Sequence, residues 1–326
     1  MSNLEQRPAE TLTGSVPSPR QSLRVLAPRD VPLGGTRAMH VRRTLPHRDL
    51  RTVGAWCFLD DYGPQDVGGA GAMQVPPHPH TGLQTVTWLL DGRVRHQDSL
   101  GNDQLVRPGE LNLMTAGRGI SHAETSPAGD TGDVRGLQLW VALPSEHRDV
   151  APDLGHHADL PVLHGDGYDA TVLLGSLMGA TSPARVFTPI VGAEVELSAG
   201  AVVTVYLERA YEHAVLALSD DLVVDGTPVE RAHLIHLPPG RPGLRLSTGR
   251  SGGRLLLLGG EPFDEDLLMW WNFVARSHDE IVEAREEWMA AVAGAATRFG
   301  QVSAYDGPAL PAPVVPTSRL RPRRRT

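Results

Sequence analysis

Lysine is absent from the sequence: all 30 basic residues are arginine. Schiff-base and pyridoxal-phosphate chemistry are thereby excluded, as is a Walker-type phosphate loop, because each requires a lysine amine. Cysteine is nearly absent too. The single Cys57 permits no disulfide within one chain and no cysteine-held metal cluster. Beside Trp56 and Phe58 it reads as a small buried apolar residue. Any metal must therefore be held by nitrogen and oxygen. No apolar run reaches transmembrane length and no charged-then-apolar leader is present, so a cytoplasmic protein without a membrane partner is expected. Basic charge is not in excess either. The net charge of −8 speaks against direct nucleic-acid binding, which needs a positive surface.

What the sequence does contain is ordinary for a soluble globular chain: 40% hydrophobic and 21% charged residues. Its 326 residues suffice for two domains, each with its own core. Abundant Ala, Gly and Pro with arginine as the sole strong base suggest a GC-rich genome and a bacterial source.

Residues 1–22 are polar and Pro/Ser-rich without periodicity and read as a disordered tail. Residues 303–326 end in "PALPAPVVPTSRLRPRRRT" and read as a second, Pro/Arg-rich disordered tail, whose arginines could meet an acidic partner. Between them, short β-type runs alternate with turn formers. "LQTVTWLL" stops at Asp91-Gly92, a hairpin signal, and Pro108-Gly109 separates two further runs. "AVVTVYLE", "HAVLAL", "DLVVDGTPVE", "AHLIHLPPG" and "GRLLLLGG" continue the pattern in the second half, with another hairpin signal at Asp225-Gly226. Many evenly spaced short strands predict an all-β sandwich or jelly roll, here twice. The turn-rich stretch 153–169 is the candidate crossing, which divides the chain into residues 23–155 and 156–302. One helix is predicted near 278–294. Ser277 and Glu280 form a capping box there, and Ile281, Ala284, Arg285, Trp288 and Val292 follow at helical spacing. The preceding "MWW" at 269–271 reads as its apolar anchor.

The chemistry is concentrated in two short motifs. "QVPPHPHTG" places His78 and His80 two residues apart, and "GRGISHAETS" does the same with His122 and Glu124. Residues i and i+2 of a strand share a face. Two neighbouring strands could thus aim three imidazoles and one carboxylate at one point. Such a set suits a divalent transition metal (Fe, Mn, Ni, Cu or Zn) and is too nitrogen-rich for Ca or Mg. Four ligands leave one or two positions for a substrate or dioxygen. The remaining histidines give weaker signals. His96 reads as a polar hairpin residue, or one that rims the pocket mouth. His156, His157 and His164 read as loop residues, and His213, His233 and His236 as structural ones.

"PPHPHTGLQTVTWLLDG", "HQDSLGNDQLVRPGELNLMTAGRGISHAE" and "GLQLWVALP" resemble the N-terminal cupin domain of the pirin family. "LLLLGGEPFDEDLLMWWNFVARSHDEI" resembles that family's C-terminal signature, and "VGAWCFLDDYGP" its entry strand. The resemblance covers roughly residues 25–300. It implies a bicupin, two double-stranded β-helix barrels face to face with a short C-terminal helix. It also implies one metal, usually iron, in the N-terminal barrel, held by His78, His80, His122 and Glu124. The first motif departs from the family's usual His-Pro-His-Arg-Gly-Phe-Glu, because Thr81 and Gln84 stand where arginine and glutamate would be. The carry-over of substrate specificity is weakened accordingly.

Two functions follow from the resemblance. One is a dioxygenase of the quercetin 2,3-dioxygenase type, with Fe(II), a small aromatic flavonol-like substrate and Glu124 as the base; Gln84, being neutral, could orient a group but not take its proton. The other is a redox-dependent adaptor that binds a metabolic enzyme or a transcription factor. A zinc-loaded cupin without turnover is the plainest alternative. A monomer is expected.

Overall fold

The computed structural model describes residues 23–33, 39–68 and 73–322. The tail expected over 1–22 and the last four residues, 323–326, with three of the arginines of the expected basic tail, lie outside them. The chain is a bicupin: two barrels of antiparallel strands packed face to face, with one helix, His278–Val292, among the described residues. No helix among them is long and apolar enough to cross a membrane.

Each barrel pairs a large sheet with a small one. In the first barrel the large sheet centres on Leu83–Asp91 and Asp133–Ala142, and the small one is built on Gln74–His80, Ile120–Thr125, Val94–Asp98 and Asp103–Val106. The large sheets of the two barrels meet. Leu113, Leu137 and Leu139 from the first pack against Leu174, Leu216 and Leu258 from the second in one continuous apolar core. Period-two alternation then decides what fills each barrel. In the first, Thr85, Thr87, Asn112 and Gln138 are paired across strands on the face opposite that core, so the interior is polar. In the second, Val172, Val195, Val205, Val215, Leu244 and Leu255 form a closed aliphatic interior. Among the described residues, the polar interior belongs to the first barrel.

Polar contacts also stitch the barrels together. Trp88 Nε1 donates to Glu194 Oε2 (2.7 Å) and the Gly54 amide donates to Glu212 Oε1 (2.6 Å). Gly54 has φ +54°, and a Cβ there would come 2.7 Å from the Gly260 Cα. The barrels touch backbone to backbone at this point, which only glycine allows.

The two Asp-Gly signals turn out to differ. At Asp225-Gly226 both residues have positive φ (48° and 80°), and Val224 pairs with Thr227 in a two-residue hairpin. At Asp91-Gly92 only the glycine does, and the flanking strands belong to different sheets. That turn is a barrel corner, as is Pro108-Gly109. The stretch 153–169 is not one loop. Asp153–His157 pairs in the first barrel's large sheet and Val162–Gly165 in the second's, so the chain crosses within 158–161. His156, His157 and His164 accordingly lie on strands, which corrects their reading as loop residues. The first described strand, Arg24–Leu26, pairs with Leu234–Leu237 of the second barrel rather than with the first.

The end of the chain returns to the first barrel. The helix buries Ile281, Ala284, Trp288 and Ala291, and Ser277 Oγ accepts from the Glu280 amide. The reciprocal half of the capping box is displaced by one residue, because the Glu280 carboxylate accepts from the Arg276 amide instead. Trp270 and Trp271 join the helix in an apolar cluster, as an anchor should. Residues 303–322, expected as a free tail, pack along this assembly. Trp288 Nε1 donates to the Leu310 carbonyl (2.8 Å), Arg285 Nε donates to the Pro313 carbonyl (2.6 Å), and Leu320 is buried. The prolines that suggested disorder serve here as an extended strap whose few apolar side chains find cover.

Candidate metal centre

The strand Gln74–His80 carries prolines at 76, 77 and 79, none of which can donate to a ladder. It survives because it is the edge of its sheet, paired on one side only, with Ile120–Thr125. Its other side is covered by the C-terminal strap, through a Leu310 amide donating to the Pro77 carbonyl (2.8 Å). Pairing sets His78 opposite His122 and His80 opposite Ile120, and a bulge then places Glu124 opposite Val75. On its far side the Ile120–Thr125 strand sets Glu124 opposite His96 and His122 opposite Asp98.

His78, His80 and His122 offer ligand atoms that all lie within 4.8 Å of one another, and all three side chains are completely buried. His96, His122 and Glu124 form a second such group. The two groups share His122. The four expected ligands do not fall into a single group, since Glu124 closes on His96 and His122 rather than on all three other histidines. Thr87 Oγ1 lies 3.3 Å from Glu124 Oε1 and 3.1 Å from Gln138 Oε1, and its single proton can serve either acceptor. The Trp140 ring meets His80 edge-on at 5.2 Å and walls the cluster on the large-sheet side.

Outer hydrogen bonds determine which nitrogen of each ring faces inward. His78 Nδ1 lies 2.7 Å from the Pro76 carbonyl and His80 Nδ1 lies 3.1 Å from the Asn272 carbonyl. A carbonyl only accepts, so both Nδ1 atoms carry the proton and both Nε2 lone pairs point into the cluster. Burial pushes the His78 imidazolium down to about 4 and those of His80 and His122 well below the usual histidine range. The rings are neutral at pH 7, the form in which imidazole binds metal. His78 Nε2 and His122 Nε2 stand 2.8 Å apart. This donor set fits a divalent transition metal: neutral nitrogens turned inward, a carboxylate alongside, and carbonyls fixing the rings from behind.

Two residues of this region depart from the sequence reading. His96, expected on a polar hairpin or at the pocket rim, is buried beside His122 and Glu124, and Asp98 was not singled out at all. Asp98, a second buried carboxylate, stands behind it, with His96 Nε2 at 3.4 Å from Asp98 Oδ2. Burial opposes ionisation of Asp98, but hydrogen bonds from His96 and Asn102 outweigh it and hold the acid below its ordinary range. A signal was present: "HQD" is a third i, i+2 pair of ligand-type residues beside a strand. Gln84 differs in the other direction. Its register partners, Thr115 and Val141, place it on the face turned to the second barrel. There its amide donates to Thr115 Oγ1 (3.0 Å) and the Arg185 carbonyl (3.1 Å). It braces the barrel interface and does not face the histidines. Thr81 lines a small cleft with Arg118, Arg148, Glu280 and Arg298. In the second barrel, His213 is buried alone and His236 Nε2 lies 3.1 Å from Glu212 Oε2, so no comparable cluster forms among the described residues. Cys57 is fully buried, its thiol pushed up to about 12 by burial.

Comparison with known proteins agrees with this architecture. The family model for pirin matches residues 36–141, and that for the pirin C-terminal cupin domain matches residues 192–294. A Pseudomonas aeruginosa protein named "Putative quercetin 2,3-dioxygenase" is 42% identical over 318 residues, 97% of this chain and 98% of the relative. Human pirin is 28% identical over 251 residues, 75% of this chain and 84% of its own. The crystal structure of a quercetin 2,3-dioxygenase from Acinetobacter baumannii superposes with a TM-score of 0.84 at 40% identity, covering 91% of this chain and 96% of that one.

Proposed function

The chain belongs to the pirin family, and from that premise we propose that it is a mononuclear iron protein acting as a dioxygenase of the quercetin 2,3-dioxygenase type on a flavonol-like substrate. The observation that carries the proposal is the convergence of three buried, neutral imidazoles on one point of a polar barrel. His78, His80 and His122 are the proposed ligands, with Glu124 as the fourth. Fe(II) is the proposed metal, with Mn, Ni, Cu and Zn as the alternatives the same donors accommodate. The names of the two bacterial dioxygenase relatives support the reaction class.

The metal, when bound, supplies Lewis acidity that favours the enolate of the substrate's hydroxyl–keto edge and brings substrate and dioxygen together. The protein's own groups do the rest. Burial keeps the three histidines unprotonated and available. Glu124, beside Thr87 and His96, takes the proton of the substrate hydroxyl. The Thr87 hydroxyl can turn from Gln138 to Glu124 and so steady the carboxylate in whichever protonation state it holds. Trp140, stacked on Phe58 at 4.1 Å and edge-on to His80, holds that ring in place from the large-sheet side.

A second reading is favoured by one observation: every proposed ligand is no more than 1% exposed. A closed site suits a redox-dependent adaptor, in which a change of iron charge biases a protein-binding surface. The two readings separate in one experiment. Anaerobically Fe(II)-loaded protein is given quercetin and oxygen uptake is followed, beside His80→Ala and Glu124→Gln. Uptake that requires the intact site supports the dioxygenase. No uptake from a fully loaded protein turns the search to partner proteins.

A further inference from the structure

We propose that His96 and Asp98 form a hydrogen-bonded chain that fixes the His122 imidazole in the orientation needed to bind metal. His96 is a positioning residue on this account, not a ligand. The inference rests on the ligand reading given above, and it adds residues that the reading does not include.

The argument proceeds from the outside inward. Asp98 is held by the turn that follows it: its Oδ1 accepts from the amides of Leu100 (2.9 Å) and Asn102 (3.1 Å), and its Oδ2 from Asn102 Nδ2 (2.8 Å). A carboxylate so surrounded by donors is an acceptor, and His96 Nε2 at 3.4 Å is its remaining neighbour. The proton of a neutral His96 therefore sits on Nε2, which leaves Nδ1 as an acceptor. His122 Nδ1 lies 3.3 Å from that atom. With a metal on its Nε2, His122 carries its proton on Nδ1 and donates to that atom; without one, its Nε2 proton makes the 2.8 Å bond to His78 Nε2, because the His78 proton is held on Nδ1. Both bonds within the chain are long, and a cation on His122 Nε2 would make its Nδ1 proton a stronger donor to His96.

Each of the three proposed ligands thus has its own outer acceptor. His78 uses a carbonyl of its own strand, His80 a carbonyl of the C-terminal segment, and His122 a His–Asp pair on the neighbouring strand. Only the last is built from side chains, so only it can be removed by substitution without touching the backbone. Such outer partners fix the tautomer and raise ligand basicity. The second metal-compatible group, His96 with His122 and Glu124, poses the alternative that His96 binds the ion itself. The contact geometry argues otherwise. His96 meets His122 at Nδ1, the nitrogen turned away from His78, so an ion bridging His96 and His122 there would forgo the His78–His122 pair.

The test uses Ni(II), an air-stable probe suited to imidazole, with the full chain. Its affinity is measured by chelator competition, and nickel X-ray absorption counts the imidazoles bound. Wild type, His80→Ala, His96→Phe and His96→Gln are compared. His96→Phe is expected to weaken binding about 10–100-fold with the imidazole count unchanged. His96→Gln, whose side-chain oxygen can accept from His122 Nδ1, is expected to recover most of the loss. If the Phe ring is not accommodated and near-UV circular dichroism is lost, His96→Leu is read in its place. Wild-type affinity in the Phe or Leu variant would overturn the inference, as would the loss of one imidazole from the count. Failure of the underlying reading looks different: His80→Ala would then bind Ni(II) as tightly as wild type.

Discussion

His78 and His122 face each other across paired strands with their Nε2 atoms 2.8 Å apart, while His78 Nδ1 is committed to the Pro76 carbonyl. With the His78 proton on Nδ1, that contact is a hydrogen bond from His122 Nε2, and a metal that displaces this one proton gains both nitrogens as ligands. Metal should therefore stabilise the fold. At a free ion concentration of 100 times Kd the gain is about 2.7 kcal/mol. Thermal melting with Fe(II) or Ni(II) should shift upward by several degrees and return on chelation. The His122→Ala variant should melt at the same temperature with and without metal.

Glu212 joins the barrels and should be costly to remove. It is fully buried, accepts from the Gly54 amide at 2.6 Å and lies 3.1 Å from His236 Nε2. Glu212→Ala leaves a buried amide and a histidine without their acceptor, and should cost roughly 3–5 kcal/mol. Glu212→Gln, which keeps an oxygen for Gly54, should cost less than half of that. Urea unfolding followed by tryptophan fluorescence measures both, because Trp56 and Trp88 lie at this interface.

His213 predicts an acid-sensitive second barrel. Burial pushes its imidazolium down from the ordinary 6.5 to about 4. Unfolding lets the ring take up a proton below about 6.5 that the fold refuses until about 4. The unfolded state binds more protons in that window, so stability rises with pH through it and falls on acidification. The effect is at most roughly 3 kcal/mol. His213→Asn should reduce the slope of unfolding free energy against pH between these limits, leaving the part due to His78, His80 and His122, and an unchanged slope would contradict the assignment.

The C-terminal strap should be indispensable despite its composition. Ending the chain after residue 302 removes Leu310, Ala312 and Leu320 from the apolar cluster and takes the acceptor from Trp288 Nε1. The truncated protein should lose at least ~2 kcal/mol. It should also be cleaved faster by protease within 268–275, where the chain lies against Thr81 and His80.

Much of this was legible in the sequence, for identifiable reasons. The strands, the helix and the three clustered histidines announce themselves through local signals (alternation, a capping serine, ligand types at i and i+2), while the pairing of two barrels face to face was implied by the family resemblance. What escaped depends on contacts between residues far apart. Nothing local in "APVVPTSRL" reveals that Trp288 waits for it. An Asp-Gly pair looks alike at 91–92 and 225–226, yet one is a corner and the other a hairpin, since the choice rests on which sheet the next strand joins. Gln84 sits two residues from Val86 and four from Trp88, on the face that meets the second barrel, and only register assigns it there. His96 was obscured by the same corner, which carries it into the small sheet beside His122.

The most direct test of the central claim is metal content with ligand substitution. Protein loaded anaerobically with Fe(II) and desalted is assayed for bound iron as wild type, His78→Ala, His80→Ala and His122→Ala. The account predicts one tightly bound iron per chain in the wild type and near-complete loss in each variant, with circular dichroism showing all of them folded. Iron retained at wild-type stoichiometry by folded His78→Ala and His80→Ala proteins would contradict it, and would place the metal elsewhere than among these imidazoles.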